Sequence, residues 1–272
     1  MERIAVISDI HGNLEALKRV LDDIKERHVD KIICLGDILA KGRHFHECIE
    51  LVKEHCDVVV QGNCDWYFSH MEHSDREKEN ERIKYIRSHL STDDLEYVKS
   101  LPYCYEMKIS GNKVRFFHAA PDKIYRFVGD IASLDDHYSL FLPTENTPSN
   151  DKADVVVYGH IHKQYLKKLF NRTIVNVGSV GNNFEVYRNK SRDGKDANTT
   201  KATYVIITGN VDSDKGNISY EFINIDYDIE KELSTSTDAH EYNQLKKELL
   251  EGRYRDISAI KELLIANGLD YE

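Results

Sequence analysis

Basic charge, paired cysteine and long apolar runs are all scarce in this chain of 272 residues. Lys and Arg number 37 against 47 Asp and Glu, a formal net charge of −10. An acidic protein does not draw in polyanions by its overall field, so non-specific binding of a nucleic-acid polymer is not expected. If the substrate is a phosphate ester, something local and positive must hold it. The five cysteines, Cys34, Cys48, Cys56, Cys64 and Cys104, are odd in number and have no paired spacing. That argues against a disulfide framework and for a reducing cytoplasm. No apolar run approaches the ~20 residues of a membrane span. The first residues, MERIAVISD, read as the start of a strand and not as a charged-then-apolar leader. Internal repeats are also missing. What remains, 40% hydrophobic and 31% charged, is an ordinary globular composition. The length suits one domain over residues 1–272 with a small insert.

The apolar pattern alternates between two periods. Residues 3–7 (RIAVI), 31–35 (KIICL) and 57–61 (DVVVQ) read as buried strands. Between them, Asn13 caps a helix to about Arg27, and a second helix covers 44–54. Such alternation predicts an α/β fold with a parallel core. Residues 65–101 then turn polar and helical, with Thr92 as a candidate cap and Pro102 as a stop. Strands resume at 113–118, 154–158, 173–177, 203–208 and 218–225. Residues 142–152 read as a loop, 189–201 as a polar hairpin tip, and 239–272 as a C-terminal helical extension. Leu245, Leu249, Leu250, Ile257, Ile260, Leu263 and Leu264 are its apolar positions.

Chemistry gathers where the strands stop. The first runs into Ser8-Asp9-Ile10-His11-Gly12 and the second into Gly36-Asp37. The third reaches Gly62-Asn63-Cys64-Asp65, a fourth His118, and a fifth Gly159-His160-Ile161-His162. Ligands of open α/β sheets bind outside the carboxyl ends of the strands. Taken singly, Asp9 is a helix cap, Asp37 and Asn63 are turn residues, and His118 is a satisfied strand-end histidine. Taken together, these readings fail, because so many metal-capable residues aimed at one place is not an accident of turn chemistry. D-x-H and H-x-H also set two ligands on the same side of an extended backbone.

In order and spacing, D9-I-H11, G36-D37 with Gly42 five residues on, G62-N63-x-D65, His118 and G159-H160-x-H162 resemble the calcineurin-like metallophosphoesterases. N176-V-G-S179-V-G181 is similar to the Gly-Ser turn of that family. The short bacterial form fits best, with a likeness to asymmetrical dinucleoside tetraphosphate hydrolases. The resemblance implies a β-sandwich flanked by helices, with 65–101 as a helical insert. It also implies two divalent cations, Mn²⁺ or Fe²⁺ foremost and Zn²⁺ also accommodated. One would take Asp9, His11 and His162; the other Asn63, His118 and His160; Asp37 would bridge them. Such a pair binds phosphate oxygens and lowers the pKa of a water between the ions. It would also be the local positive field that the acidic chain otherwise lacks.

Around that set, Asp37, Asn63, Asp65 and His118 are the residues given a catalytic part, Asp65 by orienting His118 or nearby solvent. Arg43, His44 and His46 follow the second motif and either touch phosphate oxygens or form a solvated helix start. Trp66, Tyr67 and Phe68 either pack inward or stack a nucleobase. Cys64 stands where many members of the family carry a leaving-group histidine, and its first reading is a small residue packed at a strand end. A small nucleotide with a phosphodiester or phosphoanhydride bond is the expected substrate. A protein serine/threonine phosphatase, a broad phosphomonoesterase and a non-catalytic scaffold on the same fold are the alternatives. The sequence leaves the oligomeric state open.

Overall fold

The computed structural model describes residues 1–70, 81–184, 200–234 and 240–252. Two five-stranded sheets face each other. The first has the order β10-β9-β1-β2-β3, built from β1 (Glu2–Ile7), β2 (Lys31–Cys34), β3 (Val58–Val59), β9 (Ala202–Gly209) and β10 (Ser219–Ile225). The second runs β4-β5-β6-β8-β7, from β4 (Cys104–Ile109), β5 (Asn112–Phe117), β6 (Val155–Tyr158), β7 (Gln164–Leu169) and β8 (Arg172–Val177). β1, β2 and β3 are mutually parallel, as are β5, β6 and β8. Antiparallel pairs close one edge of the first sheet and both edges of the second, so half of the strand pairings in each sheet are parallel.

Alternation along each strand makes the layers. Ile4 and Val6 of β1 point between the sheets, where they meet Ile33, Val114, Phe116, Val155, Val157, Val175, Val177, Val205 and Ile207. Ala5 and Ile7 point the other way, toward α1 (Leu14–Glu26) and α2 (Phe45–His55), and pack on Leu17, Val20, Cys48 and Ile49. The outer face of the second sheet lies under residues 120–153, with Phe117, Val156, Tyr158 and Ile174 against Leu140 and Phe141. This is the β-sandwich flanked by helices that the resemblance implies.

Several local expectations change. Asn13 does cap α1, its side chain accepting from the Ala16 N–H. The cap before Thr92 is instead Ser91, in a reciprocal box with Asp94; Thr92 is the first helical residue of α5 (Thr92–Ser100). The insert opens with α3 (Asn63–His70), two residues earlier than expected, and includes α4 (Glu81–Ser88). β4 and β7 were not read as strands. Each is the partner arm of a hairpin closed by two left-handed residues, Ser110-Gly111 and Phe170-Asn171. Two short helices, α6 (Leu134–Ser139) and α7 (Ile229–Ser234), are additional to the expected elements. The C-terminal segment contributes α8 (His240–Glu251). Most of the expected hairpin tip at 189–201, and Ile257, Ile260, Leu263 and Leu264, lie outside the described residues.

Candidate metal centre

Five strand ends meet at one edge of the sandwich. The backbone there is not extended, contrary to the simple spacing argument. Asp9 (φ 55°), His11 (φ 53°), Asp37 (φ 52°), His160 (φ 67°) and His162 (φ 57°) all occupy the left-handed region. Each strand breaks sharply into a turn at its donor residue. In D-x-H and H-x-H the middle residue, Ile10 or Ile161, is buried in the packing, which leaves the outer pair to the site. The turns are laced to one another: Asp9 N–H donates to Gly36 O (3.0 Å), His11 N–H to Asp37 O (2.9 Å), and Gly159 N–H to His118 O (2.9 Å). Glycine is required where two turns touch. A Cβ on Gly62 would lie 2.1 Å from Asp37 N, and one on Gly159 would lie 2.0 Å from Ser8 Oγ.

Three imidazoles are held the same way. His11 Nδ1–H donates to Leu39 O (3.0 Å), His118 Nδ1–H to Leu35 O (2.9 Å), and His162 Nδ1–H to Asn182 O. A carbonyl can only accept, so Nδ1 carries the proton in each. A neutral ring then presents the Nε2 lone pair. The Nε2 atoms of His11 and His162 converge. His11 Nε2 lies 3.0 Å from His162 Nε2. His162 Nε2 lies 3.1 Å from Asp9 Oδ1. Asp37 Oδ2 stands between the halves, 3.8 Å from His11 Nε2 and 3.5 Å from His118 Nε2. His118 Nε2 also meets Asn63 Oδ1 at 2.9 Å.

Asp9 Oδ1 is buried and accepts no hydrogen bond. Two lone pairs 3 Å apart beside an unsatisfied carboxylate oxygen form a repulsive arrangement, and a divalent cation relieves it. Asp9, His11 and His162 form one donor group, and Asp9, Asp37 and His118 another. The mix of carboxylate and imidazole suits a divalent transition metal. The residues present therefore fit a metal centre. Its identity as Mn²⁺, Fe²⁺ or Zn²⁺ is not fixed by the donors.

Electrostatics follow from burial. Desolvation, with the charge of Lys41, pushes His11 down to about 3. Desolvation and the neighbouring His118 lower His160 to about 4. Burial opposes the charge on His118 too, but Asp37 and Asp9 outweigh it and lift the ring to about 9. Burial would raise Asp9, yet the histidines around it hold its carboxyl well below the usual range.

The remaining candidates divide. His160 joins through its backbone N–H, which donates to Asp9 Oδ2 (2.8 Å), and its ring meets His118 edge-on with centroids 5.1 Å apart. Cys64 N–H donates to Asp37 Oδ1 (2.7 Å), and burial with the Asp37 charge pushes its thiol well above its ordinary value. Asp65 does not orient His118. Its Oδ1 accepts from Ile38 and Leu39 N–H (3.0 and 3.1 Å) and its Oδ2 from Gly62 N–H (3.1 Å), so it pins the turn after Asp37. Burial and Asp37 push its carboxyl up to about 7. His46 faces away onto Asp94 (3.0 Å) and His44 lies 3.6 Å from Glu47. The Arg43 guanidinium covers the Tyr85 ring at 4.4 Å. Phe68 packs inward, whereas Trp66 and Tyr67 are 41% and 39% exposed.

The sequence reading passed over Lys41 and Phe184. Phe184 stacks on His162 with centroids 4.5 Å apart, and Lys41 Nζ lies 4.9 Å from the Phe184 ring centre. Neither stands in a motif; only proximity to the second motif and to the 176–181 turn could have drawn attention to them. That turn supports the site from behind, with Ser179 Oγ donating to Asp9 O (2.8 Å).

A model of the calcineurin-like phosphoesterase superfamily domain matches residues 2–192. The chain belongs to that superfamily. An uncharacterized protein of Methanocaldococcus jannaschii is 33% identical over 237 residues, covering 84% of this chain and 89% of its own. Two crystal structures share the fold. A metallophosphoesterase from Sphaerobacter thermophilus has a TM-score of 0.67 at 23% identity, covering 92% of this chain and 99% of that one. A hypothetical protein from Pyrococcus horikoshii OT3 has 0.69 at 19% identity, covering 93% and 99%. Family membership and the donor groups together support a metal-dependent phosphoesterase. No helix among the described residues is long and apolar enough to cross a membrane.

Proposed function

We propose that this phosphoesterase hydrolyses phosphoanhydride or phosphodiester bonds of small nucleotides, with diadenosine tetraphosphate as a representative substrate. The observation that carries the hydrolytic reading is the convergence of the His11 and His162 Nε2 atoms on the unsatisfied Asp9 Oδ1, with the Asp37 carboxylate between them and His118. In this reading Asp9, His11 and His162 hold one divalent cation, Asn63, His118 and His160 a second, and Asp37 reaches both. Mn²⁺ and Fe²⁺ suit the donors. Such a pair supplies Lewis-acid polarisation of the phosphoryl oxygens and acidifies the attacking water.

The chain's own residues do the arranging. Leu39, Leu35 and Asn182 carbonyls fix the rings before substrate arrives, so little reorganisation is left for the reaction. Cys64, with its thiol well above its usual value, is a poor proton donor. A good leaving group needs little protonation, which favours a nucleotide phosphate over an alkoxide. Exposed Trp66 and Tyr67, on the first turns of α3 next to Asn63, offer flat surface to a base. The acidic balance supports a small substrate over a polymer. The five free cysteines suit the cytoplasm.

The test is kcat/KM with Mn²⁺ for diadenosine tetraphosphate, a cyclic mononucleotide, a phosphoserine peptide and an alkyl monoester. The nucleotide is expected to lead. A phosphopeptide ahead by tenfold would replace this reading with a protein phosphatase.

A further inference from the structure

Helix α8 buries a glutamate at the edge of the metal centre. On α8, Leu245, Glu248 and Leu249 share one face. The two leucines are 5% and 3% exposed and pack on Ile229 and Leu233 of α7. Glu248, between them, is also only 3% exposed. A buried carboxylate is retained only where partners compensate its lost hydration. Its Oε2 accepts from Asn182 Nδ2 at 2.8 Å and lies 4.0 Å from Lys41 Nζ. Both partners lead straight to the donors. The Asn182 backbone carbonyl takes the Nδ1 proton of His162. Lys41 sits over Phe184, and Phe184 stacks on the same imidazole.

We propose that Glu248 is a positioning residue for the metal centre, clamping the 182–184 turn so that His162 presents Nε2 in one fixed orientation. The inference rests on the metal-centre reading above. The chain of contact is short: carboxylate to Asn182 amide, Asn182 carbonyl to imidazole N–H, imidazole Nε2 to the cation. Asn182 has one further support, its N–H on Ser179 Oγ at 2.8 Å, but that bond holds the backbone at a single point. Without Glu248 the Asn182 side chain has lost its acceptor and the carbonyl is free to rotate. His162 then samples both tautomers and several ring orientations. Lys41 supplies the counter-charge that makes the buried carboxylate tolerable. A helix distant in sequence thereby tunes a ligand near residue 160, and the first 192 residues alone do not contain the whole centre.

The test uses the full chain and Mn²⁺ as probe. Calorimetric titration gives the Kd of wild type, Glu248→Ala, Glu248→Gln, Asn182→Ala and the Glu248→Ala/Asn182→Ala double variant. Outer partners of metal-bound histidines are commonly worth about 10–100-fold in affinity. Glu248→Ala and Asn182→Ala are each expected to weaken Mn²⁺ binding by at least about tenfold, and the double variant no further, because both break one link. Glu248→Gln keeps an acceptor for the Asn182 amide and is expected within about threefold of wild type. Long-range ¹⁵N–¹H spectra of the metal-free protein should show an Nδ1-protonated His162 in wild type and Glu248→Gln. In Glu248→Ala that signature is lost while those of His11 and His118 persist. Additive losses in the double variant, or an alanine variant with unchanged Kd and unchanged His162 tautomer, would overturn the proposal. If Glu248→Ala does not fold, Asn182→Ala and Glu248→Gln carry the same decision. A wild type that binds no Mn²⁺ refutes the metal-centre reading itself. One that binds Mn²⁺ but hydrolyses no nucleotide refutes only the substrate.

Discussion

Replacing Asp65 separates a structural carboxylate from a chemical one. Its two oxygens accept three buried backbone N–H groups, from Ile38, Leu39 and Gly62. Leu39 in turn offers its carbonyl to His11 Nδ1, so the carboxylate supports a ring of the donor set through one intervening residue. Asn at this position keeps a carbonyl oxygen for Ile38 and Leu39 but turns an amide N–H₂ against the Gly62 N–H. One unsatisfied buried donor costs about 1–3 kcal/mol. Ala leaves all three donors unsatisfied, about 3–6 kcal/mol by the same rule once some water entry is allowed. The cost is read from urea unfolding midpoints and from thermal melts, where each kcal/mol moves the midpoint by about 2–4 °C in a chain this large. Both variants should lose Mn²⁺ affinity in the same order as they lose stability, Ala more than Asn. A melting temperature unchanged in Asp65→Ala together with a hundredfold loss of hydrolysis would refute the reasoning and put Asp65 in the chemistry. An Asn variant as unstable as the Ala variant would show that the number of N–H partners does not set the cost.

Asp37→Ala removes the carboxylate that stands between the two halves. Hydrolysis and Mn²⁺ binding should both fall to near background with far-UV circular dichroism unchanged; full activity in the metal-loaded variant would contradict the site. Cys64→Ala should cost little with bis-p-nitrophenyl phosphate, and a loss beyond a hundredfold, about 2.7 kcal/mol in the barrier, would mark Cys64 as a participant. The His46–Asp94 contact ties α2 to the helical insert and gives a stability window in pH. The hydrogen bond that His46 donates to Asp94 raises His46 above 6.5. Burial would raise Asp94, but the Ser91 N–H and His46 outweigh it and lower it below 3.8. The pair is therefore at full strength between about pH 4 and 6.5; it is lost above, as His46 deprotonates, and below, as Asp94 protonates. His46 is largely exposed, so the effect stays under about 1 kcal/mol. Melts of wild type and His46→Ala should differ most near pH 5.5 and converge by pH 8.5.

What was legible in the sequence was what period and motif encode. Apolar runs marked the inner strands, and Gly-Asp, Gly-Asn and Gly-His pairs marked where they break. The hairpin arms escaped because their signals were local and ambiguous. β7 (QYLKKL) alternates, but two lysines weaken its apolar face, and its turn is Phe170-Asn171 without a glycine. β4 follows Pro102 so closely that the stop signal hid it. Asp65 differs from expectation because its place after Gly62-Asn63 puts a carboxylate near the site without saying which backbone N–H groups lie nearer. Lys41, Phe184 and Glu248 had no motif at all. Their role is three-dimensional, made by a helix that begins more than seventy residues after the last histidine of the site.

The backbone of the centre shows why its glycines and hydrogen bonds occur together. Five non-glycine donors in the left-handed region cost about 1–2 kcal/mol each, in sum comparable to the ~5–15 kcal/mol net stability of a whole domain. Such strain persists only where surrounding contacts over-determine it. Those contacts are present in series: Asp9 N–H on Gly36 O, His11 N–H on Asp37 O, Gly12 N–H on Ile38 O, Val180 N–H on Ser8 O and Gly181 N–H on Asp9 O. Each joins one loop to the next, so no donor turn can relax alone. Gly62 and Gly159 are the points of closest approach that let the loops lie near enough to bond. The left-handed kink then does what an extended D-x-H cannot. It turns the strand end sharply and leaves both outer side chains to the site at the sandwich edge, while the middle isoleucine anchors the turn in the packing. Rigid loops hold the His11 and His162 lone pairs 3.0 Å apart, and that repulsion is the energy a divalent cation would relieve on binding.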